Sequence, residues 1–234
     1  DSTYYFGIGT SREGKEGLKA IWAQGIGGDG LDSITSVAES SDGGYIVGGY
    51  FESSSIDLGN GVSLTNKGYA DGMIIKYNAA GEVEWAEGIG GTDYDKITSV
   101  AECSDGGYIV GGFFYSSIDL GNGISLTNKG SNDGMVIKFA KTELPNPTVI
   151  QAKGIGGSNY DFINSVEATS DGGYIVGGYF RSSSIDLGNG ISLANNGSID
   201  GMLIKYGSSG EVEWAKGIGG TSYDYITSVS ETTD

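Results

Sequence analysis

Apolar and polar residues fall into short runs broken by glycine. After the glycine turn GIGGDG, the segment Ile34 to Glu39 reads ITSVAE, and Gly44 to Phe51 reads GYIVGGYF. The second run is apolar almost throughout and carries the pair Gly48-Gly49, the pattern of a strand covered on both faces. A third run, GMIIKY, spans Gly72 to Tyr77, and in EVEWAE (Glu82 to Glu87) Val83 and Trp85 alternate with Glu82 and Glu84. A period of two marks a strand with one wet face. Asp42-Gly43, Asn60-Gly61 and Asp71-Gly72 punctuate the runs. Such pairs tolerate positive φ and make tight reversals. The pattern predicts an all-β chain with four short antiparallel strands per unit.

The unit recurs. Copies begin at Trp22, Trp85 and Gln151, and a partial one at Trp214, with spacings of 63, 66 and 63 positions. The longer spacing reflects the insertion KTELPNPT (Lys141 to Thr148), which holds both prolines of the chain. Proline has no amide to give a ladder, so this stretch belongs outside the sheets. A lone four-stranded sheet cannot bury both faces, whereas several stacked around an axis can. The expected architecture is therefore a single β-propeller domain over 1–234 with about four blades. Its units are 22–84, 85–150 and 151–213, with the partial unit 214–234 closing against 1–21.

The strings DGGYIVGGYF, SSIDLGNG, DGMIIKYN and EVEWAEGIGG resemble the repeat of bacterial and archaeal surface proteins called the seven-bladed β-propeller (SBBP) repeat. The resemblance covers nearly all of 22–234. It implies an extracellular or cell-surface location and no particular reaction. The chain departs from the family's name in having too few repeats for seven blades.

Asp1 to Gly7 aligns with Asp42 to Gly48, so Tyr4, Tyr5 and Phe6 are expected to form a strand of the closing blade. That strand would pair with the C-terminal copy of the first strand, which carries Ile226 and Val229. A second alignment, of Asp1 to Tyr5 with Asp71 to Ile75, is equally fair. Either way one blade is a strand short, and such a gap accepts a strand from a neighbouring molecule. The expected partner is the chain itself, as a homo-oligomer or polymer.

Composition narrows the chemistry. Glycine supplies 44 residues and proline 2, and 30 acidic against 13 basic side chains give a net charge of −17. That field repels phosphate backbones and anionic membrane surfaces, so nucleic acid is not an expected partner. No apolar run approaches the roughly 20 residues of a membrane span, so membrane insertion is not expected. Asp1 does not begin a signal peptide. The absence of histidine excludes Ser-His-Asp, Cys-His and His-ligated metal schemes. Cys103, the sole cysteine, occupies a slot held elsewhere by Ser40 or Thr169. The GxGxxG match at Gly25, Gly27 and Gly30 fails in the other copies, where Asp93 replaces Gly30, and is read as a turn. Glu82 and Glu84, recurring as Glu211 and Glu213, are read as solvent-facing strand positions rather than a catalytic pair.

Two ligand classes stay open. Asp57, Asn60, Asp119, Asn122, Asp186 and Asn189 recur in IDLGNG loops, and Asp71, Asp133 and Asp200 before the third strand. Their hard oxygens suit calcium, although ordinary turn chemistry explains Asp and Asn before Gly equally well. Tyr94, Tyr160 and Tyr223 share one repeat slot near a turn and are candidate sugar-stacking residues. The tryptophans are assigned to packing between blades. The sequence thus predicts a non-enzymatic extracellular module for structure, self-assembly or protein interaction, with a lectin-like glycan-binding propeller as the alternative.

Overall fold

The computed structural model of the chain describes residues 20–142 and 146–232. Each complete unit opens with the two runs singled out by their apolar pattern. In the first, β1 (Asp32–Glu39) turns at Asp42-Gly43 into β2 (Tyr45–Phe51), a hairpin of β3 (Ser55–Gly59) and β4 (Val62–Thr65) follows, and β5 (Asp71–Tyr77) and β6 (Val83–Ile89) finish the unit. The second runs through β7 (Asp95–Glu102), β8 (Tyr108–Phe114), β9 (Ile118–Asp119), β10 (Ser125–Leu126), β11 (Asp133–Ala140) and β12 (Thr148–Ile155). The third comprises β13 (Asp161–Ala168), β14 (Tyr174–Phe180), β15 (Ser184–Gly188), β16 (Ile191–Ala194), β17 (Asp200–Tyr206) and β18 (Val212–Ile218). No helix occurs among the described residues, and so none is long and apolar enough to cross a membrane.

Each unit folds into one four-stranded antiparallel meander, in the order β1-β2-β5-β6, β7-β8-β11-β12 and β13-β14-β17-β18. The hairpin between the second and third strands forms a separate two-stranded arm in every unit. The four-strand reading of the sequence passed over this arm as a connector. Its turn is Asn60-Gly61 with φ of 52° and 77°, the both-positive geometry of a tight hairpin reversal that Asn-Gly supplies with little strain. Ile56, Leu58 and Leu64 of the arm are buried with Met73 and Ile75 of the sheet.

Successive sheets pack through their first strands. Each of these strands carries a bulge, at Thr35, Thr98 and Asn164. A bulge re-aims its residue out of the ladder. Here it turns the side chain onto the next unit: Thr35 Oγ1 donates to Ile97 O at 2.6 Å, Thr98 Oγ1 to Ile163 O at 2.7 Å, and Asn164 Nδ2 to Ile226 O at 2.8 Å. A second rung repeats one residue on, where Ser36, Ser99 and Ser165 Oγ accept from the amides of Val100, Val166 and Val229 at 3.2, 3.1 and 3.2 Å. Asp224 to Glu231 therefore occupies the place of a fourth first strand, although it has no ladder of its own.

The described residues form three sheets in series plus this fourth segment, and among them the series does not close into a ring. Tyr4, Tyr5 and Phe6 lie outside the described residues.

Candidate functional site

The sheet junctions carry a set of contacts that recurs from unit to unit. At their centre a bare glycine meets two branched side chains. A Cβ added to Gly48 would lie 2.6 Å from Val100 Cγ1 and 2.8 Å from Ile97 Cγ2. Gly111 stands in the same relation to Val166 and Ile163, and Gly177 to Val229 and Ile226. The first glycine of each GG pair is thus a seat for the next unit's Ile and Val. Ile97, Val100, Ile163 and Val166 are at most 5% exposed as a result, but Ile34 and Val37, in the same slots of the first sheet, are 38% and 59% exposed. Their seat is missing from the described residues.

The outer edge repeats the relation. Trp85 packs on Tyr108 with ring centroids 5.8 Å apart, and Trp22 packs on Tyr45 at 5.7 Å and Tyr77 at 5.9 Å. Gln151 fills the slot in the next copy and accepts a hydrogen bond from Tyr174 Oη at 3.0 Å. Trp214, the last in the series, remains 39% exposed. Packing between sheets, as expected of these residues, accounts for Trp85, which lies on β6 and meets Tyr108 on β8, whereas Trp22 lies on no described strand and packs on the tyrosines of the first sheet.

Tyr94, Tyr160 and Tyr223 do share a place. Each forms a parallel bridge to the preceding unit, with Ala70, Asn132 and Ile199 respectively. Tyr94 sits among Tyr50, Tyr69, Phe113 and Tyr115, with centroids 5.6 to 6.2 Å away, whereas Tyr160 and Tyr223 are exposed. Sequence reading missed the neighbouring row. Phe113 meets Phe162 at 4.7 Å, Phe162 meets Tyr179 at 4.8 Å and Tyr179 meets Tyr225 at 4.8 Å, while Lys96 Nζ lies 4.7 Å from the Tyr50 ring. The signal was a pair of slots, 33 and 50 in the first unit, that are aromatic together only in the third, as Phe162 and Tyr179.

Asp57, Asp119 and Asp186 each accept a hydrogen bond from the glycine two residues on, at 2.9 Å. Asn60, Asn122 and Asn189 hold the positive φ of the hairpin turn, between 52° and 53°. These side chains are engaged in building the arm's turn, and no group of three or more acidic, cysteine or histidine side chains converges as a metal site among the described residues. Asp119 and Asp186 do line two equivalent grooves of about 270 and 300 Å³, each between an arm and the last strand of the preceding sheet, beside Lys67 and Lys129.

Two further sets of ionisable groups have structural partners. Lys76, nearly fully buried, sits 2.9 Å from Asp42 and 3.0 Å from Glu84. Lys138 pairs with Asp105 at 3.0 Å and Lys205 with Asp171 at 2.8 Å. Glu84 is therefore an ion-pair partner, which refines its reading as a plain solvent-facing residue. Cys103 is buried, and burial pushes its thiol up to about 11, so thiolate chemistry at neutral pH is suppressed.

The fold and the junctions define an all-β chain of repeated four-stranded antiparallel sheets. Compared with known proteins, it matches no family model and no curated protein sequence.

Proposed function

We propose that the chain is a non-enzymatic, extracellular or cell-surface interaction module of the propeller type, closed by a fourth blade built from the two ends of the series. The single observation that carries this reading is the unseated pair Ile34 and Val37, whose counterparts in the next two units are buried. In the closing blade, Asp224 to Glu231 takes the place of the first strand, and Ile34 and Val37 pack against that blade. Thr227 then stands in the slot of Thr35 and donates to Ile34 O, and Ser228 accepts from the amide of Val37.

We propose further that a strand from a second copy adds to the edge of this blade by main-chain pairing. The resemblance of the repeat to surface-protein propeller repeats, the acidic surface and the absence of histidine support the same reading. Light scattering during size exclusion tests the self-association: mass should rise with concentration, and a strict monomer at high concentration would remove it.

The row of rings from Phe113 to Tyr225 favours one second reading, a glycan-binding face at the junctions carrying Tyr94, Tyr160 and Tyr223. Binding on a glycan array that is lost in Tyr160→Ala and Tyr223→Ala would favour it over self-assembly.

A further inference from the structure

Each junction also brings two aspartates side by side. The parallel bridges Ala70 to Tyr94, Asn132 to Tyr160 and Ile199 to Tyr223 place the following residues side by side as Asp71 with Asp95, Asp133 with Asp161, and Asp200 with Asp224. The first four of these and Asp200 have no solvent exposure. Two carboxylates so close in an apolar junction cannot both ionise without a large desolvation and repulsion cost.

The members of a pair are not equivalent. At the junction of the second and third sheets, Asp161 is saturated with donors: Oδ1 accepts from the amides of Arg181 and Ser182, both at 3.1 Å, and Oδ2 from the Gly157 amide at 2.9 Å and Ser182 Oγ at 2.6 Å. With donors on both of its oxygens, Asp161 is placed to accept a further hydrogen bond rather than to give one. Asp133 accepts one bond, from the Lys129 amide to Oδ2 at 2.9 Å. Its Oδ1 is buried with no partner, and the same atom is unpartnered in Asp71 and Asp200. Asp133 Oδ1 and Asp161 Oδ2 converge over the Cα of Gly156, where any side chain would strike both. The orphaned oxygen recurs in three copies, and at this junction it is aimed at a facing carboxylate, which is what a missing hydrogen atom would leave.

We infer that the Asp133–Asp161 pair binds one proton, carried on Asp133 and donated to Asp161, and that this sheet junction is a pH-sensitive device that loosens as the proton is withdrawn. The charged groups acting on Asp133 are Asp161 across the junction and Lys129 on its own loop. Burial, and then the facing aspartate, push Asp133 up to about 6. Because the folded value lies above the unfolded one, the stabilising effect of the bound proton is complete below the unfolded value, about 4, and is lost as pH rises toward about 6.

Carboxyl carbon-13 spectra recorded through a pH titration test this on the intact chain. A resonance removed by Asp133→Asn should titrate in the wild type close to pH 6, and titration of every aspartate below about pH 4.5 would overturn the inference. Asn keeps the donor without the acid, so Asp133→Asn should match the wild type in melting temperature near pH 4 and exceed it by several degrees near pH 8. Asp161→Asn, which removes the acceptor, should be less stable than wild type at both. An equal loss for Asp133→Asn at both pH values would overturn the proposal. So would a calcium-induced rise in wild-type melting temperature at neutral pH that Asp133→Asn abolishes, since a metal ion rather than a proton would then occupy the pair.

Discussion

Val100 rests on Gly48, and the contact is so close that a Cβ on the glycine would fall 2.6 Å from the valine's Cγ1. The same seat recurs between Gly111 and Val166. Inserting a methyl group there forces the two sheets apart, because β-ladders on both sides fix the backbone. Gly111→Ala is expected to cost about 1–3 kcal/mol in equilibrium unfolding, the usual range for overpacking a core. Gly88, whose added Cβ would make only ordinary van der Waals contacts from 3.8 Å outward, is the control, and Gly88→Ala should leave stability nearly unchanged.

The buried lysines give a pH dependence opposite in sign to that of the Asp133–Asp161 pair. Burial alone would raise Asp105, but the Gly107 amide and the Lys138 ammonium together hold it below the ordinary carboxylate value. A depressed folded value contributes stability above the unfolded value and loses it as pH falls. Asp42, beside Lys76, behaves alike. Lys138→Met should therefore lower the melting temperature at neutral pH, and the gap to wild type should narrow as the solution is taken below about pH 4. A gap that stays constant would show that Lys138 acts through its alkyl stem alone.

Cys103 should be inert. Its thiol is buried and held up to about 11, so a thiol reagent at neutral pH should label the native chain far more slowly than the unfolded chain. Rapid labelling of the native protein would mean that the junction opens readily at this point.

Much of the fold was legible because each unit uses simple patterns. ITSVAE, GYIVGGYF, GMIIKY and EVEWAE all fall on strands within two or three residues of the expected limits, and the meander follows from their order. The hairpin arm was hidden because SIDLG and VSLT are short, and their Asn-Gly signal looked like one more connector. The aspartate pairs were harder still. Asp71 and Asp95 are distant in sequence and meet only through a bridge between two sheets, which no local pattern reveals. The role of the GG pair was half visible: two glycines in an apolar strand signalled close approach, but only the packed sheets identify Val100 and Ile97 as the visitors.

The closing blade is the central claim, and Ile34 tests it most directly. The cost of Ile34→Ala should be compared with that of Ile97→Ala by equilibrium denaturation of the whole chain. If Ile34 is seated on a closing strand, both substitutions should destabilise by a similar amount, about 2–5 kcal/mol, as for a buried isoleucine. If Ile34→Ala costs close to nothing while Ile97→Ala carries the full loss, the first sheet's face is open in solution and the fourth blade does not form.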